Sequence, residues 1–148
     1  MCERTFEKMN VLISCEGNAV PTVYALKRMA DYLSVLGYTG MYLNMETMYR
    51  IEDEPYFGYM RGQYTKEEIH ELDEYCKGKG IELMAGIQTL GHYYFLGKYG
   101  TYSDYMDNME VLLIDDERTY TLIEKMFKTI SEYFSSRYIN IGMDEAIA

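Results

Sequence analysis

The sequence predicts an α/β fold, parallel strands covered by outer helices, and three observations carry that prediction. Short apolar runs alternate with stretches of helical periodicity along the chain, which is how a parallel sheet with helical crossovers is encoded. The segments after the second and third runs are rich in Tyr and Gly, and they are longer than a structural connection needs. Four strands in 148 residues amount to half of a (β/α)8 barrel of about 250 residues.

The first strand is Val11-Leu12-Ile13-Ser14-Cys15, a short β-rich apolar run. Pro21-Thr22 then opens a helix in which Val23, Leu26, Met29, Ala30, Leu33 and Leu36 recur at helical spacing, and Gly37 closes it. Gly40-Met41-Tyr42-Leu43-Asn44 is the second strand, followed by a loop from about Met45 to Tyr64. Thr65-Lys66-Glu67-Glu68 has the form of a capping box: the Thr hydroxyl accepts from the third-residue amide while the Glu carboxylate reaches back to the cap amide. That helix runs to about Lys77 and ends at Gly78 and Gly80. Ile81 to Ile87 is the third strand, with a second long loop from Gln88 to about Asp116. Glu117 to Phe134 is the third helix, and Tyr138-Ile139-Asn140-Ile141-Gly142 the fourth strand.

Two closures suit this order, an open parallel sheet or a barrel. A doubly wound open sheet often carries a Gly-rich phosphate loop after its first strand, and Cys15-Glu16-Gly17-Asn18-Ala19-Val20 has no such fingerprint. Long loops at the strands' carboxyl ends favour the barrel, because that rim is where barrel enzymes work. The chain therefore reads as one partial domain over residues 1–148, the first four β/α units of a barrel truncated on its C-terminal side.

Composition excludes several function classes. A net charge of -10, with 14 basic residues scattered among 24 acidic ones, argues against nucleic acid or anionic membrane as partner, since both need clustered Lys and Arg. No run approaches the apolar length of a membrane span, and the opening Met1-Cys2-Glu3-Arg4-Thr5-Phe6 lacks a signal-peptide core. The chain reads as cytoplasmic, with Cys2, Cys15 and Cys76 as reduced thiols. With only His70 and His92 available, no zinc site is expected.

Beyond the fourth strand, Met143-Asp144-Glu145-Ala146 sets two carboxylates side by side. On pattern alone the commoner reading of such a pair is a helix N-cap and a first-turn acid. His92 alone reads as a loop histidine, and Glu46 as site residue or solvated loop. The tyrosines at 93, 94, 99, 102 and 105 can stack on sugar rings or pack under a barrel rim. The Met residues are core filler, and Cys15, at a strand end facing the cleft, has no base nearby.

Four segments change that weighting. Asn18-Ala19-Val20-Pro21-Thr22-Val23-Tyr24-Ala25-Leu26-Lys27-Arg28, Glu54-Pro55-Tyr56-Phe57-Gly58-Tyr59-Met60-Arg61-Gly62, Ile87-Gln88-Thr89-Leu90-Gly91-His92 and Ile141-Gly142-Met143-Asp144-Glu145-Ala146 together resemble glycoside hydrolase family 20, the β-N-acetylhexosaminidases. The resemblance runs from about Phe6 to Ala148 and implies the first four β/α units of a TIM barrel. It implies no cofactor, and a substrate bearing a terminal N-acetylhexosamine. Members of that family hydrolyse with retention but without an enzymic nucleophile, using the substrate's own 2-acetamido oxygen. By resemblance Asp144 orients the acetamido group, and Glu145 protonates the leaving oxygen and then deprotonates water. His92 resembles the histidine that holds the acid/base, and Glu46 falls near that histidine's acidic partner. The two tasks need one carboxylate charged while the other is protonated, which neighbouring carboxylates in a semi-buried cleft achieve by repelling each other.

The departures are as informative. Gly17 stands where the family's sugar-gripping arginine is expected, and glycine supplies no bidentate donor. Asn140 stands in place of a histidine, Ile147 replaces a polar residue, and the chain has no Trp. Three readings follow: the catalytic domain of an exo-acting hexosaminidase, a degenerate member that binds sugar or protein without hydrolysis, or a truncated product without independent function. A half-barrel leaves sheet edges open, so the implied protein partner is a second copy of the chain or a second half-barrel.

Overall fold

A computed structural model describes residues 6–17 and 19–146; Cys2, Asn18 and Ile147 lie outside them. The elements are β1 (Asn10–Ser14), α1 (Val23–Leu36), β2 (Gly40–Asn44), α2 (Lys66–Gly78), β3 (Glu82–Gly86), α3 (Gly100–Ser103), α4 (Glu117–Tyr133) and β4 (Ile139–Asn140). The strands pair in the order β1-β2-β3-β4, all parallel. A doubly wound sheet would reverse its strand order at a switch point, whereas sequential parallel pairing is the order of a barrel. Helices α1 and α2 pack together, and α2 packs on α4. These are the first four β/α units of a TIM barrel, and the open-sheet alternative is set aside.

Alternation along the strands sorts their side chains. Val11 and Ile13 align with Met41 and Leu43, and these with Leu83 and Ala85; all six join the core under the helices. The opposite face carries Leu12, Tyr42 and Met84, and at its carboxyl end Ser14, Asn44, Gly86 and Asn140 fall in one registered row. Of that row, Asn44 lines a cleft. Leu12 is exposed on this face, whereas Met84 is buried.

Local chemistry explains the helices. Thr22 caps α1 by accepting from the Ala25 amide, and Gly37 ends it at φ 85°, a left-handed conformation that suits glycine. Leu26, Ala30 and Leu33 are buried at helical spacing, each Leu contributing about 1.5–3 kcal/mol of apolar burial. Met29 and Leu36, which the periodicity places in the core, are instead exposed with Tyr24, Tyr32 and Val35. The capping box of α2 forms as expected: Glu68 N–H donates to Thr65 Oγ1 at 3.2 Å, and Thr65 N–H to Glu68 Oε2 at 2.9 Å. Asp116 caps α4 through the Arg118 amide.

Some boundaries move. β1 starts one residue earlier than expected, and Cys15 is buried in the core, not directed at the cleft. Burial pushes its thiol up to about 11, an unreactive state. β4 shortens to two residues because it pairs only with β3. The third-strand loop contains the short α3, too brief to leave a periodic signal. Tyr93, Tyr102 and Tyr105 are buried, whereas Tyr94 remains exposed. Met41, Met45, Met48, Met84 and Met126 fill the core, but Met60, Met109 and Met143 face solvent.

Candidate active site

The three loops after β1, β2 and β3 and the segment after β4 surround a cleft of about 450 Å³ lined by Glu16, Gly17, Asn44, Glu46, Gln88, His92, Tyr94, Phe95, Glu110 and Asp144. A larger hollow of about 560 Å³ lies beside Arg50–Pro55 and Tyr133; it is lined by none of Asp144, Glu145, His92, Glu46 and Asn140. Position at the carboxyl ends of parallel strands decides between them, because that rim carries barrel chemistry.

His92 brings the acid pair together. Its Nε2 lies 3.4 Å from Asp144 Oδ2 and 3.6 Å from Glu145 Oε2. Backbone geometry builds this meeting point: His92 has φ 62°, Glu145 φ 51° and Glu46 φ 47°. Left-handed conformations cost a non-glycine residue of order 1–3 kcal/mol and persist where the surroundings enforce them. Three of the five such residues described in the chain are candidate site residues.

The surroundings are the stitched ends of β3 and β4. Ile87 N–H donates to Asn140 O at 2.9 Å, and Thr89 Oγ1 to Ile141 O at 3.0 Å. With its amide turned so that the nitrogen faces these acceptors, the Gln88 side chain donates to Asp144 Oδ1 at 3.2 Å and to Gly142 O. Gly142 has φ 55°, and a Cβ there would sit 2.1 Å from Ile87 O. Asn140 does not reach the acid pair; its Oδ1 accepts from the Gly142 amide at 3.0 Å and shapes the turn. The carboxylates themselves are open to solvent, Asp144 at 62% and Glu145 at 73% side-chain exposure. The semi-buried cleft expected from the sequence is therefore only half enclosed, since the described residues provide no opposite wall.

Glu46 lines the same cleft, but its partner is Arg61 and, among the described residues, not His92. The guanidinium straddles the carboxylate, with Nη1 3.1 Å from Oε1 and Nη2 3.2 Å from Oε2. Nη1 also donates to Thr47 Oγ1 at 2.9 Å, and Nη2 to Gly17 O at 2.8 Å. The guanidinium carbon lies 3.8 Å from the Phe95 ring centroid, a cation–π contact. One buried side chain thus ties the β1, β2 and β3 loops together. Gly58, at φ 64° with an ideal Cβ 2.1 Å from Thr47 O, lets the loop fold back to deliver it.

Glu16 is the other residue the sequence reading missed. It follows Ser14 by two positions, so it continues the cleft face of β1 outward, and Asn44 Nδ2 donates to its Oε1. Burial first, then the charges of Glu46 and Asp144, raise its pKa above the ordinary carboxylate value. Among the described residues no group of three or more His, Cys, Asp or Glu has metal-holding geometry.

A model of the glycosyl hydrolase family 20 catalytic domain matches residues 33–148. The chain belongs to that family. Solved structures agree in fold. A Flavobacterium johnsoniae chitobiase superposes with TM-score 0.83 at 20% identity, covering 96% of this chain and 24% of its own. The Streptomyces coelicolor β-N-acetylhexosaminidase gives 0.80 at 17% identity, covering 96% and 34%. The Vibrio harveyi exo β-N-acetylglucosaminidase, solved with N-acetylglucosamine, gives 0.83 at 18%, covering 95% and 28%. The chain thus spans about a quarter to a third of these family 20 enzymes. A search of curated proteins found no match, and no helix of the described residues is long and apolar enough to cross a membrane.

Proposed function

We propose that this chain carries the acid pair of an exo-acting β-N-acetylhexosaminidase that removes terminal GlcNAc or GalNAc by substrate-assisted hydrolysis. The substrate's acetamido oxygen attacks the anomeric carbon as the glycosidic bond breaks, and Glu145 delivers its proton to the leaving oxygen. Asp144 accepts from the acetamido N–H and balances the positive charge of the oxazolinium. Water then attacks the anomeric carbon as its bond to the acetamido oxygen breaks and the acetamide is restored, Glu145 takes the water's proton, and the sugar leaves with its configuration retained.

The observation that carries this reading is the convergence of His92 Nε2 on both carboxylates, 3.4 and 3.6 Å away, at the carboxyl rim of a family 20 barrel segment. The complex of the Vibrio harveyi enzyme with N-acetylglucosamine supports the substrate class. The exposed pair needs a second wall for full rate, because catalytic electrostatics strengthen when water is excluded. Leu12, Ile141 and Met143, which the described residues leave exposed, support a second half-barrel or a second copy of the chain as that wall. Size-exclusion with light scattering separates a dimer from a monomer.

One observation favours a degenerate sugar-binding member instead. Gly17 has φ 71° and nothing within 4 Å of an ideal Cβ, so the place of the family's arginine is open space. Hydrolysis of a chromogenic N-acetyl-β-glucosaminide, followed with Asp144→Asn and Glu145→Gln beside the wild type, decides between the two. Turnover that neither substitution lowers sinks the catalytic assignment, while N-acetylglucosamine binding without turnover supports the degenerate member.

A further inference from the structure

We propose that Glu16 is a specificity-determining residue of this cleft: its carboxylate accepts hydrogen bonds from the bound sugar's hydroxyls and makes the site reject anionic glycosides. The inference rests on the sugar-binding reading above and adds a selection between substrates. Glu16 lies two residues beyond Ser14, which shares a registered row with Asn44, Gly86 and Asn140, and it lines the same cleft as His92 and Asp144.

Next is preorganisation. Asn44 Nδ2 donates to Oε1 of Glu16, which fixes the carboxylate on its rotamer while Oε2 has no hydrogen-bond partner among the described residues. A charged acceptor held with one oxygen free is suited to hydroxyl donors, since hydrogen bonds to ionised groups are about twice as strong as neutral ones.

The third element is charge. Glu46 is neutralised by the buried Arg61 at 3.1 Å, but Glu16 has no cation within ion-pair distance among the described residues and feels both Glu46 and Asp144 as like charges. Gly17 next to it adds no side chain to compensate. A sulfated or carboxylated sugar entering the cleft meets the carboxylates of Glu16, Glu110 and Asp144, while the cations acting on Glu16 are His92 and Arg61, the latter already paired with Glu46, so it is repelled. An uncharged hexosamine gives up no such penalty and gains the acceptor.

The experiment uses the full chain and measures binding of N-acetylglucosamine and of its 6-sulfate by isothermal titration, for wild type, Glu16→Gln and Glu16→Ala. Gln keeps shape and an acceptor but loses the charge; Ala loses both. Expected is wild-type preference for the neutral sugar, narrowed by about tenfold in Glu16→Gln, the scale of one unit charge several ångströms away in a half-exposed site. Glu16→Ala is expected to bind the neutral sugar about tenfold more weakly, as for loss of one hydrogen bond to a charged group. Unchanged selectivity in Glu16→Gln, with neutral-sugar binding intact in all three proteins, overturns the inference and leaves the hexosaminidase reading standing. Absence of N-acetylglucosamine binding by the wild type overturns both.

Discussion

Arg61→Met tests how the cleft is held open and shaped. The Arg61 and Glu46 side chains are 8% and 7% exposed, so removing the guanidinium leaves a carboxylate buried without a partner. Breaking a buried pair from one side costs about 3–5 kcal/mol, a large share of the ~5–15 kcal/mol that holds a domain folded. The Thr47 hydroxyl, the Gly17 carbonyl and the Phe95 ring lose the same cation. For a domain of this size the midpoint of thermal unfolding should fall by about 6–20 °C, taking ~2–4 °C per kcal/mol. The assay is thermal and urea unfolding followed by circular dichroism, the first for the midpoint and the second for the free energy, repeated for Arg61→Lys, Glu46→Leu and the Arg61→Met/Glu46→Leu pair. Lysine should recover only part of the loss, because one ammonium cannot straddle a carboxylate and also reach a second loop. The double variant should be less destabilised than the sum of the single ones, since the orphaned charge is gone. A cost below about 1 kcal/mol for Arg61→Met, the level of an exposed pair, refutes the reasoning, and so does strict additivity of the cycle.

Three other outcomes follow from the same geometry. Glu16 has a raised pKa from burial and from Glu46 and Asp144, so the folded state holds its proton more tightly than the unfolded one; stability should therefore decline as pH rises through the interval above the ordinary value of 4.5. Glu16→Gln should flatten that decline in denaturation curves taken across the acidic range. Gly142→Ala sets a methyl against Ile87 O in a left-handed conformation, so it should destabilise by about 1–3 kcal/mol and weaken sugar binding by displacing Asp144; a neutral result in both would contradict the close approach. Thr65→Ala removes one half of the α2 capping box and should cost about 0.5–2 kcal/mol with no change in sugar binding, because α2 starts away from the cleft.

The fold was legible in the sequence wherever local chemistry decides structure. Thr65 and Glu68 carry their capping geometry within four residues, Gly37 ends α1, and the apolar runs at residues 11, 40 and 81 pair in the order in which they occur. The placement of His92, Asp144 and Glu145 just beyond strands is also readable from the sequence, and the structure sets the His92 ring near both carboxylates. What escaped notice depends on contacts that no local pattern encodes. Arg61 meets Gly17 across 44 positions and Glu46 across 15, and in sequence it sits in a loop motif like any surface cation. Glu16 is held by Asn44, 28 positions away, a contact no local pattern encodes. The assignment of Glu46 beside His92 failed for the same reason: a buried guanidinium from the end of its own loop holds the carboxylate first. Met29 and Leu36 show the converse, since helical spacing marks an apolar face without saying how much of it a neighbour covers.

The most direct test of the acid pair is the ratio of kcat/KM for Glu145→Gln and wild type on an aryl N-acetyl-β-glucosaminide. General acid–base catalysis by a positioned carboxyl contributes about 10²–10⁴-fold, so the variant should fall by that factor while still binding N-acetylglucosamine. Equal kcat/KM in the two proteins would contradict a proton-transferring role for Glu145.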